Sequence, residues 1–77
     1  MFEDFLLKDC KILLNCFSGN KNTNIVLFAQ VLEIDDKLMK VRLLGDSKTV
    51  SNVFLSGEEI YINICHIVAI LIIYNKT

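Results

Sequence analysis

The run IYINICHIVAILIIY at residues 60–74 constrains this chain most, because only Asn63 and His66 in it are strongly polar. Its fifteen residues fall short of the ~18–20 consecutive apolar residues that a helix needs to cross a bilayer. Ile and Val dominate the run, and β-branched residues favour strands. Tyr61 and Asn63 alternate with isoleucines, as expected for a strand with one buried face. The run therefore predicts two strands and no membrane anchor.

Cys65 and His66 interrupt this alternation between the two strands. A single turn of 3₁₀ helix fits the interruption and sends the second strand off at a sharp angle. Metal binding by this pair is disfavoured, because adjacent residues of a strand point apart and no second pair completes a tetrahedral site. We expect His66 to be a turn histidine whose ring bonds a backbone group.

The rest of the chain predicts a mainly β fold. Residues 2–8 have apolar residues at helical spacing, and residues 10–17, 24–34 and 38–44 have the composition and alternation of strands. With strands at 58–64 and 66–74, the order is a short N-terminal helix and then five strands. Residues 45–57 stay open between a loop and a hairpin. The sequence thus predicts a single domain over residues 1–77, folded as a small five-stranded SH3-like barrel.

The last strand is apolar on both faces, although a small barrel has only one core to cover. Hydrophobic residues make up 53% of the chain, above the roughly 45–50% of ordinary soluble domains. Some of this apolar surface is therefore predicted to contact another copy of the chain.

Cysteine spacing and charge bear on the compartment and on cofactors. Cys10 and Cys16 lie on one predicted strand, about 20 Å apart at ~3.3 Å per residue, too far to share a disulfide or a metal. We expect buried thiols in a reducing cytoplasm and no cofactor.

The first residues, MFEDFLLKD, carry acids where a signal peptide has Lys or Arg. The net charge of −1 gives the whole chain no attraction to nucleic acid or anionic membranes.

Two short motifs resemble those of the Sm-like family, which includes Sm, archaeal Sm-like and bacterial Hfq proteins. Residues 36–40, DKLMK, stand where the family has Asp-x-x-Met-Asn after a strand, and residues 62–67, INICHI, stand where it has Ile-Arg-Gly-x-x-Ile. The resemblance covers nearly the whole chain and implies a Sm-like barrel. It also implies a ring of identical subunits in which the strand at 58–64 of one subunit pairs with the strand at 67–74 of the next.

In the family, the Asn after Met and the Arg-Gly pair hold an RNA base. This chain has Lys40, Asn63 and Ile64 at those three positions. The resemblance therefore implies single-stranded RNA binding through a changed set of residues: Lys37, Lys40, Asn63 and Tyr61. Lys37, Lys40, Arg42 and Lys48 also gather half of the eight basic residues around one hairpin, which could contact phosphates.

A second hypothesis is a structural or adaptor protein whose barrel contacts other proteins and no nucleic acid. The small net charge and the substitutions at the base-binding positions favour it, whereas the matching positions of the two motifs and the basic cluster favour RNA. Neither hypothesis includes catalysis. The paired acids Asp35–Asp36 and Glu58–Glu59 stand at turns and strand starts, and no phosphate loop, zinc motif or hydrolase elbow is present. We expect no enzyme activity.

Overall fold

The computed structural model describes residues 2–18, 21–45 and 57–74, without the side chains of residues 16–18, 21 and 22. The elements, in chain order, are the 3₁₀ turn η1 (Glu3–Phe5), β1 (Asp9–Ser18), β2 (Lys21–Ile34), β3 (Leu38–Leu43), β4 (Glu59–Asn63), the 3₁₀ turn η2 (Ile64–His66) and β5 (Ile67–Ile72). The five predicted strands and the predicted 3₁₀ turn before the last strand are thus confirmed. Lys48 and most of the uncertain stretch 45–57 lie outside the described residues.

The strands form one antiparallel sheet in the order β4-β3-β2-β1-β5. The long strand β2 is central, since it pairs with β1 on one side and β3 on the other. The prediction of a closed barrel is wrong for the part of the chain that the structure describes. There β4 pairs only with β3 and β5 only with β1, because η2 carries the chain from one edge of the sheet to the other.

The predicted N-terminal helix is also wrong, because only the three-residue turn η1 forms there. Leu6 adopts an extended backbone, and Leu7 has a φ of 62°. The Leu7 N–H donates to the Val31 carbonyl over 2.7 Å, and the Val31 N–H donates to the Lys8 carbonyl over 3.1 Å. Hydrogen bonds to β2 therefore replace those that would continue a helix.

The core lies on one face of the sheet, where alternate residues of the strands are buried. On β1 these are Cys10, Ile12 and Leu14. The other buried hydrophobic residues are Leu27, Ala29, Val31, Met39, Val41, Leu43 and Ile62. Burying each larger aliphatic side chain contributes roughly 1.5–3 kcal/mol, so this face holds the sheet together.

The last strand departs from strict alternation. Its register with β1 shifts between Leu13 and Leu14, so that Ile67, Ile70 and Ile72 all pack against the core. Ala69 and Leu71 are exposed on the opposite side of the sheet. The predicted second apolar face of this strand is therefore present. No helix among the described residues has the length and apolar character needed to span a membrane.

Candidate binding surfaces

Two of the four predicted RNA-contacting residues, Lys37 and Asn63, line one groove. The β2–β3 turn reaches η2 there, because the Ile64 N–H donates to the Lys37 carbonyl over 2.9 Å. The groove has a volume of about 370 Å³. Its lining residues are Asp36, Lys37, Asn63, Ile64 and Cys65. Lys37 and Asn63 come together because β3 pairs with β4 so that Leu38, the residue after Lys37, lies opposite Asn63.

The Asn63 side chain serves the backbone of the next turn. Its Oδ1 accepts hydrogen bonds from the Cys65 backbone N–H at 3.1 Å and from the Cys65 thiol at 3.0 Å. Asn63 is thus the N-cap of η2, and capping supplies a partner for an N–H that a short helix leaves unpaired. Only the amide N–H groups of Asn63 remain to contact a ligand in the groove.

Lys40 lies within ion-pair distance of two carboxylates. Its Nζ is 3.4 Å from Glu33 Oε2 and 3.3 Å from Glu59 Oε1. Glu59 also binds Arg42, whose Nη2 is 2.9 Å away. We call these four residues the ion-pair ladder. Its two positive and two negative charges cancel, so the cations predicted for phosphate contact already have acidic partners.

The pKa values within the ladder agree with this pairing. The hydrogen bond from Arg42, followed by that from Lys40, lowers the pKa of the Glu59 carboxyl. The hydrogen bond to Glu59, the neighbouring Tyr61 and the hydrogen bond to Glu33 raise the pKa of the Lys40 ammonium. Lys40 and Glu59 thus favour each other's charged form.

Tyr61 is accessible for stacking, with 65% of its surface exposed. The Lys40 ammonium lies 5.8 Å from the centre of its ring, a distance at which a cation is attracted to an aromatic face. Lys40 and Tyr61 also lie directly opposite each other in the β3–β4 pairing. The four predicted residues therefore form two pairs, Lys37 with Asn63 and Lys40 with Tyr61.

His66 contacts a backbone group, and the two described cysteine thiols differ in their exposure to solvent. His66 Nδ1 lies 3.1 Å from the Asn15 carbonyl oxygen, as expected for a turn histidine bonded to the backbone. Cys10 is buried, whereas Cys65 is exposed. No group of three or more His, Cys, Asp or Glu side chains could hold a metal ion within the described ranges.

The sequence interpretation missed the acidic half of the ladder. Glu59 could have been found, because it stands opposite Arg42 once β3 and β4 are paired. Glu33 could not have been found in this way. It reaches Lys40 only because the β2–β3 register shifts between Val31 and Glu33. A local sequence pattern does not predict such a bulge.

Within the described ranges 2–18, 21–45 and 57–74, the two outer strands of the sheet each have one edge that pairs with no other strand. The Ile64 N–H bonds to Lys37 and the Glu58 carbonyl accepts from Leu43, so alternation along β4 directs the N–H and C=O of Tyr61 away from the sheet. On β5, the Ile73 N–H bonds to the Asp9 carbonyl, and the same alternation directs the backbone groups of Ile70 and Ile72 outward.

The core is accessible beside the β4 edge. A groove of about 270 Å³ opens there, between β4, η2 and the neighbouring parts of β1 and β2. Most of its lining is apolar, and the residues are Leu14, Ile25, Leu27, Ile60, Tyr61, Ile62, Asn63 and His66. We call this the seam groove. An apolar opening beside an unpaired strand edge is a surface suited to another chain.

Comparison of the chain with protein-family models, with curated proteins and with solved structures gives no match. Function is therefore inferred from the geometry of these surfaces.

Proposed function

We propose that this protein is a non-enzymatic, Sm-like assembly protein, whose copies join through β4 and β5 into a ring that contacts other proteins. The observation that carries the proposal is the pair of edges, at opposite ends of one sheet, that pair with no other described strand, with the seam groove open beside one of them. Pairing β5 of one copy with β4 of the next satisfies both edges and covers apolar surface.

The order of elements supports the Sm-like part of the proposal. A 3₁₀ turn stands between β4 and β5, where the resemblance has its second motif, and it sends the two strands to different edges. A contact between two different edges of the same chain is heterologous. Repetition of such a contact closes into a ring when the rotation between neighbours allows it.

The test is native mass spectrometry of the wild type, Tyr61→Pro and Tyr61→Ala. Both substitutions remove the same exposed ring, but only proline removes the outward N–H of Tyr61, and an edge strand tolerates proline at such a position. We expect closed assemblies for the wild type and Tyr61→Ala, and species of one or two copies for Tyr61→Pro. Equal assembly of all three proteins would reject pairing through β4.

A second candidate function is single-stranded RNA binding, which the Lys37–Asn63 groove favours. Lys37 forms no ion pair with a described residue, in contrast to Lys40. Tyr61 offers an exposed ring on β4. A ring would repeat this groove once per subunit. RNA binding is the second candidate because the cations of the ion-pair ladder, which were predicted to contact phosphates, already have acidic partners.

Titration with oligo-U and oligo-A at several salt concentrations separates the two functions. If RNA binds, Lys37→Gln should weaken binding and reduce the salt slope by about 0.7 for each phosphate that the protein no longer neutralises. Lys40→Gln, which removes a paired cation, is the matched comparison and should have a smaller effect. A ring that takes up neither oligonucleotide would leave protein contacts as the function.

A further inference from the structure

The outer face of β5, β1 and β2, on the side opposite the core, has three cross-strand rows. In order along β1 they are Ile73–Asp9–Gln30, Leu71–Lys11–Phe28 and Ala69–Leu13–Val26. Leu13 and Val26 are half buried but do not pack against the core, and Leu71 is 61% exposed. The third row is entirely apolar.

The opposite end of this face holds a groove. Its volume is about 480 Å³, and it begins at the Asp9 row. The residues that line it are Leu7, Lys8, Asp9, Gln30, Ile72, Ile73 and Tyr74. Leu7 and Tyr74 are strongly exposed there. The outer face thus runs from a groove with mixed polar and apolar walls, which Lys8 also lines, through the Asp9 and Lys11 rows to an apolar row.

This order makes the face complementary to itself. Two copies can face each other about a two-fold axis that lies between the sheets, runs perpendicular to the strands and passes over Cys10. The Asp9 row of each copy then lies over the Lys11 row of the other, so that each Asp9 meets a Lys11. Leu71 then meets Ile73, and the row through Leu13 falls over the groove at Leu7 and Tyr74. Two sheets can pack in this way with their strands nearly aligned, about 10 Å apart.

We propose that the outer face of β5, β1 and β2 binds the same face of a second copy of this chain, with Asp9 of each copy paired to Lys11 of the other. Charge complementarity selects this occupant, because Asp9 and Lys11 stand in adjacent rows and each row is matched by the other in the two-fold image. The surface is separate from the β4 and β5 edges. Edge-joined assemblies would therefore pair through it into even-numbered, dihedral complexes.

Charge exchange tests this proposal in the Tyr61→Pro chain, where edge pairing is blocked. The parent should be a dimer. Asp9→Lys gives a face with two bases and Lys11→Glu a face with two acids, so each should raise the dimer dissociation constant about tenfold or more, because like charges then meet across the interface. An equimolar mixture, with one variant labelled with ¹⁵N, should form heterodimers in native mass spectrometry. The double variant Asp9→Lys/Lys11→Glu should dimerise like the parent.

Three outcomes would overturn the proposal: a monomeric parent, single variants that dimerise as tightly as the parent, or a mixture without heterodimers. Circular dichroism verifies that each variant is folded. Failure of edge assembly has a different signature. If the wild type forms only a dimer and the single charge variants abolish it, the outer-face contact stands and the ring does not.

Discussion

At the scale of single residues, Leu7 has the most unusual backbone. It is the one residue other than glycine with a positive φ in the part of the chain that the structure describes. Its N–H is bonded to Val31, and its carbonyl accepts from Gln30 Nε2 at 3.4 Å. The sheet therefore holds Leu7 in a conformation that costs a residue with a Cβ about 1–2 kcal/mol.

Leu7→Gly should consequently be more stable than Leu7→Ala. Both variants lack the same exposed side chain, but only glycine adopts the left-handed backbone without strain. The greater freedom of glycine in the unfolded chain offsets about 0.4–1 kcal/mol of this gain. We expect a net advantage of about 0.5–1 kcal/mol for glycine in urea unfolding. An alanine variant at least as stable as the glycine variant would contradict the left-handed assignment.

At the scale of elements, the ion-pair ladder joins β2, β3 and β4. It makes the stability of this half of the sheet depend on pH. The pKa of Glu59 is lowered in the folded chain, so its contribution is present above the unfolded carboxyl pKa, about 4.3, and is lost as pH falls through the folded value. The pKa of Lys40 is raised, so its contribution is present below the unfolded value, about 10.4, and is lost at higher pH.

Glu59→Gln should make the free energy of unfolding depend less on pH in the acid range. We expect the free energy of unfolding of the wild type to fall between about pH 5 and pH 3 more than that of the variant, in urea titrations at low salt. Asp4→Asn changes the net charge equally and leaves the ladder intact, so it is the control. High salt should reduce the difference, because these groups are near solvent. Parallel profiles for the wild type and Glu59→Gln would show that the ladder contributes nothing.

At the scale of the whole molecule, one thiol reports on the integrity of the core. Cys10 is fully buried, with its Sγ 3.5 Å from the Lys8 carbonyl oxygen. Burial, and to a smaller extent the charge of Asp9, raises the pKa of this thiol. Since the thiolate is the reactive form, Cys10 should react only when the sheet opens, whereas the exposed Cys65 should react at once.

Labelling with a disulfide reagent checks this in a Cys16→Ser chain, which leaves two thiols. We expect one thiol to react rapidly and the other to react in step with the loss of β-sheet circular dichroism in urea. Adding Cys65→Ser should remove the rapid phase and leave the slow one. Two rapid phases in native buffer would mean that β1 does not hold Cys10 in the core.

Local pattern determined the strands and the turn of this protein. Alternation has a period of two along any strand, so the buried positions of β1 and β3 and the outward positions of Lys40 and Arg42 could be predicted without knowing their neighbours. The interruption at Cys65 and His66 likewise predicted the 3₁₀ turn. The hydrogen bonds that capture Leu7 on β2 are non-local, so the N-terminal helix was predicted where only a turn forms.

Tertiary structure alone decided how the sheet ends and what each charge meets. Among the described strands, β4 and β5 lie at opposite edges because η2 leads to the far side of the sheet. Glu33 reaches Lys40 because of a bulge in β2. Register and bulges depend on packing between strands that are distant in sequence. The sequence therefore determined which residues could form a site, and the register of the sheet decided which of them came together.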